Sequence, residues 1–189
     1  MITRFAPSPT GPLHLGHAYS AMLAYDMASQ AGGSFLLRIE DIDQTRSRPE
    51  WEQQIHDDLA WLGISWEAPV MRQSERQAAY RLALEKLGSR ALLYPCTCKR
   101  RDIIEAVTAP QEGAKPQTGP DGIIYPGTCR PPEPIVHGLN GPDSLRLNLH
   151  ALDPDLALSF TETGAAPDGQ TGKITFTIAD AISSIGDPV

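Results

Sequence analysis

Lysine is scarce in this chain. Only Lys86, Lys99, Lys115 and Lys173 occur among 189 residues, and the nearest two stand 13 apart, which excludes any Lys-x-x-Lys motif. Cysteine is scarcer still, with three residues, Cys96, Cys98 and Cys129. An odd, low count argues against a disulfide scaffold and fits a reducing cytoplasm. No stretch approaches the ~20 apolar residues of a membrane span, so no membrane association is expected. The opening MITRFAPSPTG has no long apolar run after a basic start, and a secretory signal is not expected there. Positive charge is in deficit: 16 Lys plus Arg stand against 23 Asp plus Glu, a formal net charge of −7. That balance argues against wholesale binding of nucleic-acid phosphates. A local basic patch stays open, because charge is screened within ~8–10 Å. No internal repeat is present.

What remains is an ordinary globular composition, 41% hydrophobic and 21% charged, in a length that suggests one domain with a sizeable core. Ile2 to Phe5 is a strand candidate, followed by a loop set by Pro7, Pro9, Gly11 and Pro12. His14 to Ala31 is helical, stopped by Gly32 and Gly33. Ser34 to Ile39 is a nearly continuous apolar run, as a buried parallel strand would be. Pro49 opens the next helix, with Trp51, Ile55, Leu59 and Leu62 on one face. Ser74 starts another, with Ala79, Ala83 and Leu87 on one stripe, and Leu92 to Tyr94 is the next strand. Alternating strands and helices predict a mostly parallel sheet with helices packed on it. Residues 108–122 carry three prolines and three glycines and are expected to be a mobile loop. A second Pro-rich stretch runs from Pro131 to Pro142. Beyond it, alternation at Leu145, Leu147 and Leu149 predicts a half-buried strand, and Leu156 to Phe160 and Ile174 to Ile178 two more.

The densest signal lies between Arg4 and His17 (RFAPSPTGPLHLGH). A strand leads through a rigid loop to a helix N-terminus, whose unpaired N–H groups and partial positive charge suit phosphate. His14 and His17 stand three apart on one helix face, and Gly16 removes a side chain between them, opening the backbone to a nucleoside. A bare H-x-G-H match would mean no more than a capped helix with two surface histidines.

Two further blocks stand behind it: Leu36 to Asp43 (LLRIEDID) with Thr45 and Arg46, and Trp61 to Glu67 (WLGISWE). Together the three blocks resemble the class I aminoacyl-tRNA synthetases, glutamyl branch, whose HIGH signature the first one matches. The resemblance implies a Rossmann-like (HUP-type) α/β half-domain with a parallel sheet and a zinc-binding insertion. It implies a catalytic role for His14, Gly16 and His17 on ATP and its Mg2+. Arg4 should pair with the carboxylate of a glutamate substrate, in a wall made by Phe5, Ala6, Pro7 and Ser8. Glu40, at the end of the second strand, should hold the α-ammonium. The reaction needs no protein nucleophile, since carboxylate attack on the α-phosphorus is catalysed by positioning and charge stabilisation. Asp43 is read as part of a solvated acidic turn.

Cys96 and Cys98, one residue apart after a strand, with Cys129 beyond a loop, read as a zinc site short of one ligand. The alternative is three unrelated reduced cysteines. Zinc would staple a segment with little core of its own. Two branches of the family differ in the fourth ligand. Where glutamyl-tRNA synthetases resembling this chain carry a His two residues after the last Cys, Pro131 stands here. In the glutamyl-queuosine tRNA(Asp) branch a Tyr four residues before the last Cys serves, and Tyr125 holds that position. His137 is the other candidate. The basic run Lys99 to Arg101 reads as a solvated helix start.

The resemblance therefore implies a cytoplasmic, monomeric ligase that activates glutamate with ATP and passes it to queuosine in the tRNA(Asp) anticodon region. The expected organisation is a nucleotide- and glutamate-binding part over 1–95, a zinc-bearing insertion over 96–142, and further catalytic-domain strands over 143–189. The family's second signature, KMSKS, is absent. The sequence Gly186-Asp187-Pro188-Val189 matches a point from which family members continue into the rest of the glutamate pocket. An incomplete, poorly active portion is expected. The rival readings are a catalytic portion of a glutamyl-tRNA synthetase and a non-catalytic chain that binds zinc, nucleotide or RNA.

Overall fold

A computed structural model describes residues 1–108, 117–120, 122–136, 144–164 and 169–189. His137 and most of the expected loop at 108–122 lie outside the described residues. The chain divides into two compact units, Met1–Arg81 and Leu82–Val189.

In the first unit, β1 (Ile2–Phe5), β2 (Ser34–Ile39) and β3 (Met71–Arg72) form a parallel sheet in the order β1-β2-β3. Helix α1 (Leu15–Gln30) connects β1 to β2, and α2 (Pro49–Trp61) lies between β2 and β3. Register pairs Thr3 with Phe35 and Phe5 with Leu37. Phe5, Phe35, Leu37 and Ile39 are buried on one sheet face, against Ala21 and Ala28 of α1 and Ile55 and Leu59 of α2. Alanine at the buried positions of α1 lets the helix approach the strands closely, and the Thr3 hydroxyl donates to the Ala24 carbonyl at 2.6 Å. The turn into β2 needs glycine for space: a Cβ on Gly33 would lie 1.8 Å from the Met1 carbonyl oxygen. Pro49 occupies the first turn of α2 beside Glu50 and Glu52, whose charge suits a helix N-terminus.

The predicted strands and helices of this unit are present, with two differences. Strand β3 was not expected, because two residues are too short to show alternation. The helix expected from Ser74 begins as a 3-10 turn over Gln73–Arg76, and α3 (Gln77–Gly88) follows. The Ser74 N–H and hydroxyl both donate to Asp41, at 2.9 and 2.5 Å, which fixes that first turn.

The second unit departs further. Strand β4 (Leu93–Cys96) does not extend the parallel sheet; it pairs antiparallel with β7 (Ser144–Leu147). Pro95 has no N–H for a ladder, which suits a strand paired on one edge. Helix α4 (Arg100–Thr108) starts at the basic run, with its preceding N–H on Lys99 capped by Asp102 at 2.8 Å. Where a loop was expected, β5 (Thr118–Gly119) and β6 (Gly122–Ile123) make a short antiparallel pair. Strands β8 (Ala157–Glu162) and β9 (Gly172–Thr177) are present near the expected positions and pair antiparallel, but Ile178 is not in a strand. It opens α5 (Ile178–Ile185), because Thr177 and Asp180 cap one another's backbone N–H groups. In β7 the inward residue is not a leucine: Arg146 is buried, while Leu145 and Leu147 are half-buried. Leu149 falls in a 3-10 turn, not in the strand.

Candidate functional sites

The loop after β1 is pinned by its carbonyls. Pro7 accepts from the Glu40 N–H at 2.9 Å and Pro9 from the Arg48 N–H at 3.0 Å. Proline rings fix φ, so this segment holds a shape that donates almost nothing of its own. Between the loop and α1 lies a cleft of about 520 Å3, lined by Arg4, Phe5, Ala6, Pro7, Ser8, Thr10, Gly11, Pro12, His17 and Ser20. Every residue predicted for the substrate wall is on it, together with His17. Ser20 was missed, although its place three residues after His17 on a helix puts it on the same face.

His14 and Gly16 start the helix beside the cleft and are not among its lining residues. The His14 Nδ1 accepts from the Gly16 N–H at 3.1 Å, and the His17 Nδ1 accepts from the His14 N–H at 3.2 Å. The two rings stack with centroids 3.8 Å apart. This corrects the expectation of free first-turn N–H groups, since the histidines take part of that role. The arrangement also fixes a tautomer: with Nδ1 accepting, each neutral ring carries its proton on Nε2. Gly16 serves the cap, because a Cβ there would press within 3.1 Å of the His14 ring. Burial lowers the His17 pKa, and the neighbouring His14 lowers it further.

Arg4 and Glu40 share one face of the sheet. Arg4 is level with Leu36, and strand alternation puts Leu36, Arg38 and Glu40 opposite the buried Phe35, Leu37 and Ile39. The Glu40 carboxylate is engaged, however. Oε1 accepts from Arg38 Nε at 2.6 Å, and Oε2 accepts from Gln73 Nε2 at 2.7 Å. Glu40 is not among the residues lining the cleft. Tyr80 donates to the other end of the Gln73 amide. Asp41 is a buried anchor: burial raises its pKa, but the Ser74 hydroxyl and N–H outweigh this and hold it low. Asp43 turns outward onto Thr45 and Arg46, as an exposed acidic turn.

The second site lies in the other unit, at the end of β4. The sulfurs of Cys96, Cys98 and Cys129 lie within 4.8 Å of one another, and those of Cys98 and Cys129 are 3.4 Å apart. The Tyr125 hydroxyl is 3.6 Å from the Cys96 sulfur and accepts from the Cys129 N–H at 2.7 Å. Around tetrahedral zinc, with Zn–S ~2.3 Å and Zn–O ~2.0 Å, sulfurs stand ~3.8 Å apart and sulfur and oxygen ~3.5 Å. The donor set fits such an ion. The hydrogen bond with Cys129 raises Cys98 to about 11, with burial adding to it. Burial would raise Cys129, but hydrogen bonds with Tyr125 and Cys98 outweigh it and bring it to about 7. Burial, more than any partner, pushes the Tyr125 hydroxyl up.

Two neighbours of this cluster were missed. Arg146 donates Nε–H to the Cys96 sulfur at 3.2 Å, and its guanidinium lies 3.7 Å over the Tyr125 ring. Asp187, fully buried, receives the Tyr94 hydroxyl and Arg130 Nε, each at 2.7 Å.

Residues 1–120 match the family of class I tRNA synthetases (E and Q), catalytic domain. The chain is 58% identical over 172 residues to a glutamyl-Q tRNA(Asp) synthetase of Rhodobacter capsulatus, covering 89% of this chain and 60% of the relative. It is 40% identical over 191 residues to one of Symbiobacterium thermophilum, covering 95% and 58%. The crystal structure of a glutamate-tRNA synthetase from Elizabethkingia anophelis superposes with a TM-score of 0.64 at 24% identity, covering 94% of this chain and 37% of that one. That likeness bears on the fold. The chain spans about 60% of the length of these curated relatives.

Proposed function

The chain belongs to the class I tRNA synthetases of the glutamate and glutamine branch, and from that premise we propose that it serves a ligase joining glutamate to queuosine of tRNA(Asp). The relatives bearing that name support the acceptor. The observation that carries the reading is one cleft lined by Arg4, the Phe5 to Ser8 wall and His17. In the proposal Arg4 offers its planar fork to the substrate carboxylate. Glu40 takes the α-ammonium, exchanging its bond to Arg38 for it. His14 and His17 present Nε2–H donors to the triphosphate of Mg2+-bound ATP. These groups bind and orient; the attacking oxygen belongs to the substrate.

Cys96, Cys98, Cys129 and Tyr125 would hold a zinc ion, which when bound ties the strand bearing Cys96 to the segment bearing Tyr125 and Cys129. No step of the reaction passes through it. Residues 96–142 are, in this reading, the metal-bearing insertion, and the partners are glutamate, ATP and tRNA(Asp).

The test is glutamylation with queuosine-containing and queuosine-free tRNA(Asp), beside glutamate-dependent pyrophosphate exchange. Incorporation confined to the queuosine-containing tRNA supports the acceptor, and charging of a tRNA(Glu) 3′ end overturns it. For these 189 residues alone, lacking the lysine signature, exchange should fall at least ~100–1,000-fold below the Rhodobacter capsulatus relative, the loss typical of one removed transition-state donor. Exchange within about tenfold of it would show that the lysine signature is dispensable here.

A further inference from the structure

Asp187 is the most deeply buried charge among the described residues, at 0% exposure. A buried carboxylate persists only when its oxygens are paired. Here Oδ2 receives the Tyr94 hydroxyl and Arg130 Nε, both at 2.7 Å, and Oδ1 receives the Leu149 N–H at 3.1 Å. With its side chain fixed on three sides, the residue presents its carbonyl to Arg146 NH1 at 2.7 Å. The next carbonyl, of Pro188, accepts the Leu147 N–H at 2.9 Å, so this segment lies along β7. Arg146 is therefore held from behind, and its remaining Nε–H reaches the Cys96 sulfur at 3.2 Å. Arg130 follows Cys129 directly in the chain.

A bond from Arg146 to the Asp187 carbonyl placed merely to close the unit would not need a second guanidinium N–H on sulfur. Three thiolates around a dication leave a net negative charge, more so with a tyrosinate. A cation donating to one of those sulfurs offsets that charge and fixes the direction of its lone pairs.

We propose that Arg146 and Asp187 are positioning residues of the metal centre: Asp187 orients Arg146 onto the Cys96 sulfur and Arg130 beside Cys129, so that metal affinity depends on the Gly186–Val189 segment. The proposal rests on the reading of the thiol cluster as a metal site.

The experiment uses the full 189-residue chain, reduced and titrated with cobalt(II) against a chromophoric chelator. Wild type should take one cobalt per chain with sulfur-to-cobalt charge-transfer absorption. Arg146→Lys keeps the charge but cannot span both the sulfur and the Asp187 carbonyl. It should weaken cobalt binding by ~10–100-fold, the usual loss on removing an outer partner of a metal ligand. It should also move the charge-transfer band to lower energy, because the sulfur loses a hydrogen bond. Asp187→Asn should act in the same direction with a smaller shift. A purely structural role would lower stability without moving that band. Variants with wild-type circular dichroism, affinity within about threefold and an unmoved band would overturn the proposal. If Asp187→Asn does not fold, Arg146→Lys decides by the same criteria. A reduced wild type that takes no cobalt would overturn the metal reading itself, and the proposal with it. That failure is read before any variant is made.

Discussion

The unit Met1–Arg81 buries Phe5, Phe35, Leu37, Ile39, Ile55, Leu59 and Ile64 with two alanines, all apolar. The unit Leu82–Val189 gathers a cluster around Tyr94, Cys96 and Tyr125, with the buried Arg146 bonded to the Cys96 sulfur and the buried Asp187 to the Tyr94 hydroxyl. In the first, Arg4, His17 and Glu40 stand outside the apolar core, and of the expected substrate wall only Phe5 belongs to it. In the second, two of the candidate ligands, Cys96 and Tyr125, are themselves core residues, and Cys98 and Cys129 pack half-buried against them. Apolar burial is non-directional and tolerates imperfect geometry, whereas a buried polar cluster is favourable only when every member is paired. The two units should therefore respond differently to loss of a metal and to loss of a methylene.

The largest difference should follow metal removal. Structural zinc supplies ~10–16 kcal/mol in small zinc-dependent peptides. Chelation should strip amide-exchange protection from β4 and β7 while leaving β1, β2 and α2 protected. A uniform loss across both units, or none in either, would break the contrast. The converse probe is Leu59→Ala, in the core of the first unit at 0% exposure. It should cost ~2–5 kcal/mol in urea unfolding of that unit. Metal content should stay at wild-type level. If Leu59→Ala also releases metal, the two units do not act independently.

The same contrast explains what the sequence disclosed. In the first unit the strands β1 and β2, the helices α1 and α2 and the rigid loop after β1 were legible, because apolar periodicity, proline and glycine act locally. Glu40 was legible as a residue but its bond to Gln73 was not, since nothing local links positions 33 apart; its pairing with Arg38, two residues before it on the same side of the strand, was missed although it is local. In the second unit the spacing of Cys96 and Cys98 and the place of Tyr125 were legible as candidate ligands, and the fold brings them together with Cys129. The antiparallel partner of β4 was not, because it comes from residues 144–147, far along the chain. Arg146 was read as the solvent side of an alternating strand; a charged residue turns inward there because Asp187 and the Cys96 sulfur receive it. Alternation reports which face is apolar, and a buried arginine bonded to a carbonyl and a sulfur inverts that signal. Helix α5 was hidden by a cap, Thr177 with Asp180, at the end of a strand-like run.

The smallest expected effect tests the cap at the start of α1. His14→Ala removes the acceptor for the Gly16 N–H and should cost ~0.5–2 kcal/mol, as other N-cap losses do. The partner cap is sensitive to pH. The His17 Nδ1 accepts the His14 N–H, and protonation there would replace an acceptor by a donor. Burial and the adjacent His14 hold its folded pKa below 6.5. The unfolded chain therefore binds the proton first as pH falls. The cap's contribution is whole above the unfolded value of ~6.5 and is lost progressively as pH drops from there through the lower folded value. Between about pH 7.5 and about pH 5.5, unfolding of the first unit should become easier more steeply in the native sequence than in His17→Gln, which keeps a side-chain acceptor but cannot titrate. Parallel slopes for the two would mean that the His17 imidazole does not cap the helix. The stacked pair would then be two surface rings at a helix start, with no fixed tautomer to offer a phosphate.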